Sequence, residues 1–114
     1  MALQYNLSKV YEISENDNEF ALQIASLFLE EVPFEIQAMK NAIEEKDYAK
    51  TYASAHKIQP TLDLLGMDMA YEDVLLIIDW TKEEGKRKEI KEVFKSLKAR
   101  IGDAADEIKK DFKL

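Results

Sequence analysis

The sequence predicts an all-α fold, an antiparallel up-down four-helix bundle with a short N-terminal helix, and three observations carry that prediction. Glycine and proline are scarce, three and two residues in 114, while 46% of the chain is hydrophobic and 34% charged; this is the composition of a compact helical protein. Apolar residues recur at steps of three and four along four successive stretches, and nowhere at the period of two that a strand requires. Each stretch is bounded by capping or helix-stopping residues, leaving only short turns between them. Four amphipathic helices so joined bury their apolar faces most simply in one antiparallel bundle. The length suits a single domain, 1–114, with one modest core.

In chain order, Leu7 to Ile13 forms a short opening helix with Leu7, Val10 and Tyr11 on one side. The polar run Ser14–Glu19 supplies capping residues, and one of Ser14, Asn16 or Asp17 starts the next helix. From Phe20, the residues Ile24, Leu27, Phe28, Val32, Ile36, Met39 and Ile43 keep a stripe to about Glu45. Pro33 lies inside it, so one bent helix or two nearly continuous ones are expected. Asp47 caps a third helix that runs to Leu65, where Gly66 ends it in a left-handed conformation. Asp68 caps a fourth, with Tyr71, Val74, Leu75, Ile78 and Trp80 inward, and Gly85 ends it. Lys86 opens the last helix, with Ile90, Val93, Phe94, Leu97, Ile101, Ala104, Ala105, Ile108 and Phe112 at steps of three and four. Gly102 weakens it by about 1 kcal/mol relative to alanine without breaking it. The lysines and acids of that helix read as a solvated face.

Composition also narrows the function. A formal charge of −7 makes nucleic acid and anionic membrane surfaces poor partners, since both reward positive patches. Cysteine is absent, which removes disulfides, thiolate chemistry and cysteine-ligated metals. The longest aliphatic run, Val74 to Ile78, is far short of the roughly 20 residues of a membrane span. The stretch Met1 to Asn6 has neither the basic nor the apolar character of a signal peptide, so a cytoplasmic protein is expected.

The third helix carries the one histidine. Ser54, Ile58, Thr61, Leu62 and Leu65 form a mostly apolar face, and at about 100° per residue that face is centred opposite His56. Ala49, Tyr52, Ala53, Gln59, Pro60 and Asp63 share the histidine's side, so the imidazole is expected to point away from the core. Pro60 lacks the N–H that would bond the His56 carbonyl and crowds it, at a cost of roughly 3 kcal/mol, which predicts a kink at that turn.

The run Ala55-His56-Lys57-Ile58-Gln59-Pro60-Thr61, continued by Leu65-Gly66-Met67, resembles the signature of histidine-containing phosphotransfer (HPt) domains. That signature is roughly Ala-His-x-Leu-Lys-Gly-Ser, then Leu-Gly and an apolar residue. Ala55, His56, Ile58, Thr61, Leu65, Gly66 and Met67 fall in register with it. Upstream, Phe28-Leu29-Glu30-Glu31-Val32-Pro33, followed by Met39, Ala42, Ile43, Asp47 and Tyr48, is similar to the helix preceding the histidine helix in that family. The likeness covers about residues 15 to 85. Two positions differ: Gln59 stands where the family has a lysine thought to help hold the phosphoryl group, and Pro60 where it has a glycine that leaves the imidazole open. Gln59 offers amide hydrogen bonds without positive charge.

The resemblance implies the same bundle and a phosphorelay role. His56 would accept a phosphoryl group from the aspartyl phosphate of a receiver domain, of a response regulator or hybrid histidine kinase, and pass it to another receiver. Gln59 and Pro60 would neighbour the phosphate, while Tyr52, Ala53, Lys57, Asp63 and Leu64 would form the docking surface of a monomer. No cofactor of its own is implied, Mg²⁺ coming from the receiver.

The residues agree with a passive acceptor. A neutral imidazole keeps one free lone pair and attacks phosphorus without a neighbouring base, and no glycine-rich phosphate loop for ATP is present. Two alternatives stay open. One is a non-catalytic interaction module that binds a receiver or other protein without relaying phosphate; the other is the acceptor domain of a chemotaxis-type kinase. A bundle metal enzyme would want Glu-x-x-His pairs, whereas Ala53 precedes His56 by three and there is no second histidine.

Overall fold

The computed structural model describes residues 4–114. Among these residues there are five helices and no strand: α1 (Ser8–Ser14), α2 (Asn18–Glu44), α3 (Tyr48–Leu64), α4 (Asp68–Glu83) and α5 (Arg87–Phe112). The four long helices form a bundle in which α2 packs on α3 and α5, and α4 on α3 and α5, with α1 laid against α2. No helix is long and apolar enough to cross a membrane among the described residues.

The core follows the apolar stripes. Phe28, Val32 and Met39 of α2, Ile58 and Leu62 of α3, Val74 and Ile77 of α4, and Leu97 and Ile108 of α5 are fully buried together. At about 25 cal/mol per Å² of apolar surface, burying such side chains is the main stabilising contribution. Two residues expected inward are not. Leu27 and Leu75 are each 40% exposed, because both sit at the edge of their helix's stripe, beyond the width that the neighbouring helices cover. The helix α2 continues through Pro33 as one element.

Local chemistry sets the ends. Asp17 caps α2, its Oδ1 accepting from the Glu19 and Phe20 N–H groups. Asp47 caps α3 by accepting from Lys50 N–H at 3.0 Å, as expected of these side chains. Asp68, by contrast, lies inside the first turn of α4, and Met67 takes the cap position. Met67 is buried in the core, while an aspartate one step later still meets the positive end of the helix dipole. The left-handed residue after α4 is Glu84, not Gly85. Gly85 serves a different need, since a Cβ there would run into the Trp80 ring.

These ends fasten α3. At its start, the Tyr48 hydroxyl donates to the Gly85 carbonyl at 2.7 Å and the Trp80 indole donates to the Lys86 carbonyl at 2.9 Å. The Tyr48 and Trp80 rings meet at 5.0 Å. At its far end, Asn6 N–H donates to the Leu65 carbonyl at 2.7 Å. Gly66 has φ +63°, and a Cβ there would come within 2.8 Å of the Asn6 Cβ. Gly66→Ala is therefore expected to destabilise the fold by about 1–2 kcal/mol from backbone strain, with a further cost from displacing Asn6. Urea unfolding reads the loss, and heteronuclear spectra should place the largest shift changes at Asn6 and Leu65.

Candidate functional site

The burial pattern of α3 divides it into two faces. Thr51, Ser54, Ala55, Ile58 and Leu62 are buried, and Thr61 is half-buried at their margin. Ala49, Ala53, His56, Pro60 and Asp63 are exposed on the other side. Among the described residues no hydrogen bond or ion pair engages the His56 ring, and the residue is exposed. Its neighbour is Tyr52, one turn earlier, whose ring stacks on the imidazole at 5.7 Å and 22°. Such stacking limits the ring's rotation while leaving its edge free.

One turn later Pro60 is exposed. It has no N–H for the His56 carbonyl, which on this outward face is left to hydrogen-bond with solvent. The helix nonetheless runs unbroken from Tyr48 to Leu64.

The polar residues near His56 are directed elsewhere. Gln59 is half-buried and its Nε2 donates to the Tyr71 hydroxyl of α4 at 3.2 Å. Lys57 Nζ reaches across to α2 and pairs with Glu35 Oε2 at 2.9 Å. The hydrogen bond to Glu35, and then that carboxylate's charge, raise the Lys57 pKa above its ordinary value. Asp63 pairs with Lys9 of α1 at 2.7 Å, with both side chains about half exposed; the hydrogen bond to Asp63 is the first cause of a raised Lys9 pKa. Leu64 is half-buried against the core.

Of the residues singled out from sequence, His56, Tyr52, Ala53 and Pro60 thus share one open surface. Lys57 and Asp63 flank it with their charges tied to α2 and α1, Gln59 turns to α4, and Leu64 turns mostly inward. Three further residues shape the surroundings. Glu35 is buried, and its position three after Val32 and four before Met39, inside the apolar stripe of α2, was the available sign. Tyr71 holds Gln59, a contact between helices that no local pattern marks. Leu75 follows Tyr71 by four on α4 and is an exposed apolar side chain. Among the described residues no group of three or more histidines and carboxylates is arranged to hold a metal.

No protein-family model, no curated protein and no solved structure matches the chain.

The Lys57–Glu35 pair yields a test. Removing the lysine leaves a buried carboxylate without its partner, the costly way to break such a pair. Lys57→Met should lower stability at neutral pH, and adding Glu35→Leu should recover much of the loss. Because the lysine's folded pKa is raised, the pair's contribution is intact below its ordinary value of 10.5 and is lost as pH rises through the folded value. Denaturant midpoints against pH should show a steeper alkaline fall in the wild type than in the double variant, which keeps the Lys9–Asp63 pair and its own raised lysine pKa.

Proposed function

We propose that this chain is an HPt-like domain, a phosphorelay intermediate in which His56 accepts a phosphoryl group from a receiver aspartyl phosphate and passes it to another receiver. The observation that supports this best is the sole imidazole, unbonded at both nitrogens and exposed in the middle of α3, at the histidine position of the motif. A bundle of four long helices with three-residue connections fits an alternating up-and-down course, the fold the resemblance implies.

In the transfer, a ring nitrogen attacks phosphorus in line with the aspartyl oxygen. The N–P bond forms as the P–O bond breaks, the aspartate leaves as a carboxylate, and the ring sheds its extra proton to solvent. The second transfer reverses these changes on a new aspartate. Phosphoryl transfer is governed by positioning and by charge that offsets the developing negative oxygens. This chain contributes the position, through Tyr52 and the rigid helix. The partner would contribute Mg²⁺ and positive charge, because Lys57, next to His56 in sequence, is held by Glu35 on α2. Tyr52, Ala53 and Pro60 give the partner an open, mostly apolar surface of the kind transient contacts use. A cytoplasmic location belongs to the same proposal.

The second reading, an interaction module that binds a receiver without relaying phosphate, is favoured by one observation: Gln59 spends its amide on Tyr71 and brings no charge to the imidazole. Mixing the protein with a radiolabelled phosphoreceiver separates the two. The relay predicts an acid-labile, base-stable label on the wild type and none on His56→Gln. Receiver binding without label supports the interaction module, and absence of both binding and label contradicts the proposal.

A further inference from the structure

With no residue of α3 in its lining, a groove of about 670 Å³ between α2 and α5 is rich in cations in an otherwise acidic protein. Its rim carries Lys40 from α2 and Arg87, Lys88, Lys91, Lys95 and Lys98 from α5. These are six of the chain's 16 lysines and arginines, in a molecule of net charge −7. Glu44 is the one carboxylate among the lining residues. Arg87 donates to the Glu44 carbonyl at 3.0 Å and ties α5 to the end of α2. Among the described residues, the five lysines have no carboxylate partner within the 4.0 Å of an ion pair; the pairs formed involve Lys9, Lys50, Lys57 and Arg100.

Below the lysines the floor is apolar. Ile43 is buried and Phe94 half-buried, both lining the groove. Lys88, Lys91, Lys95 and Lys98 stand at steps of three and four, so they form one ridge along α5 and repel one another there. From Arg87 to Lys98 the ridge is about 16 Å long, some three helical turns.

We propose that this groove binds an acidic amphipathic helix of a partner protein. The partner's apolar strip would rest on Ile43 and Phe94, and its carboxylates would meet Lys40 on one side and Lys91, Lys95 and Lys98 on the other. A duplex nucleic acid would satisfy the lysines but leave the apolar floor without a counterpart, and a bilayer surface does not enter a cleft between two helices. Within a Debye length of about 10 Å the local lysines outweigh the molecule's overall negative charge. The groove borders α2 and α5 whereas His56 faces out from α3, so an occupant there leaves the imidazole open. This site stands independently of the phosphotransfer reading.

The test uses the full chain and a fluorescein-labelled helical peptide with leucines at i, i+3, i+4 and i+7 flanked by glutamates. Saturable binding is expected, weakened when salt rises from about 50 to about 500 mM. Lys91→Glu combined with Lys95→Glu should weaken it by roughly tenfold or more, the sum of two exposed charge pairs turned repulsive. Lys109→Glu combined with Lys110→Glu, at the far end of α5, should leave it unchanged, and circular dichroism should show both variants folded. The proposal is overturned by absence of saturable binding, by equal affinity of the Lys91/Lys95 variant, or by equal affinity for the peptide with lysines in place of glutamates. Tighter binding of duplex DNA, of phosphatidylglycerol vesicles or of a second copy of the chain than of the acidic peptide also overturns it.

Discussion

Everything about the candidate site depends on α3 being held on three sides and left open on the fourth. One long face is buried against α2 and α4. The start is clamped where Tyr48, Trp80 and Gly85 meet, and the end where Gly66 brings Asn6 against Leu65. A helix fixed in this way has little freedom to roll, so the direction of every outward side chain is set by the core. The His56 ring inherits its direction from the helix, with no side-chain hydrogen bond or ion pair among the described residues. For a group that must meet a partner's reacting atom, such rigidity lowers the ordering cost at encounter.

The electrostatics around the imidazole follow a consistent pattern. Lys57 is drawn to Glu35, Asp63 to Lys9, and Gln59 to Tyr71. The residues that could have crowded or charged the site each spend their polar groups on a neighbouring helix. What is left beside the ring is Tyr52, Ala53 and Pro60, surfaces that exclude little and repel nothing. Such surroundings suit the proposed role, in which another molecule supplies the charge. The lysine ridge along α5 is the opposite case, since among the described residues its charges have no carboxylate partner.

The features read correctly from sequence are those decided by local chemistry. Asp17 and Asp47 cap because their side chains reach their own helix's first N–H groups, and Gly66 adopts positive φ because a turn there demands it. The exposure of His56 followed from the angular position of the face that Ser54, Ile58, Thr61, Leu62 and Leu65 form. The features that escaped depend on what lies across an interface. Leu27 and Leu75 sit on the edge of a stripe, and only the reach of the adjoining helix decides which side of the boundary they fall. Gly85 is glycine because the Trp80 ring approaches it, which spacing along the chain does not reveal. Met67 holds a cap position through its burial rather than its chemistry. The lysines of α5, read from sequence as a solvated face, acquire a different meaning once Lys40, Ile43 and Phe94 are brought alongside them.

If, as proposed, the single imidazole offers an unhindered nitrogen to a phosphoryl donor, a small donor reveals it without any partner protein. Incubation with phosphoramidate, followed by phosphorus and nitrogen NMR, reads both the extent and the position of N–P bond formation. One phosphoryl group is expected, on a ring nitrogen of His56, formed at a rate comparable to that of N-acetylhistidine in the same tube. Phosphorylation of the free imidazole with none on the folded protein would contradict the proposal.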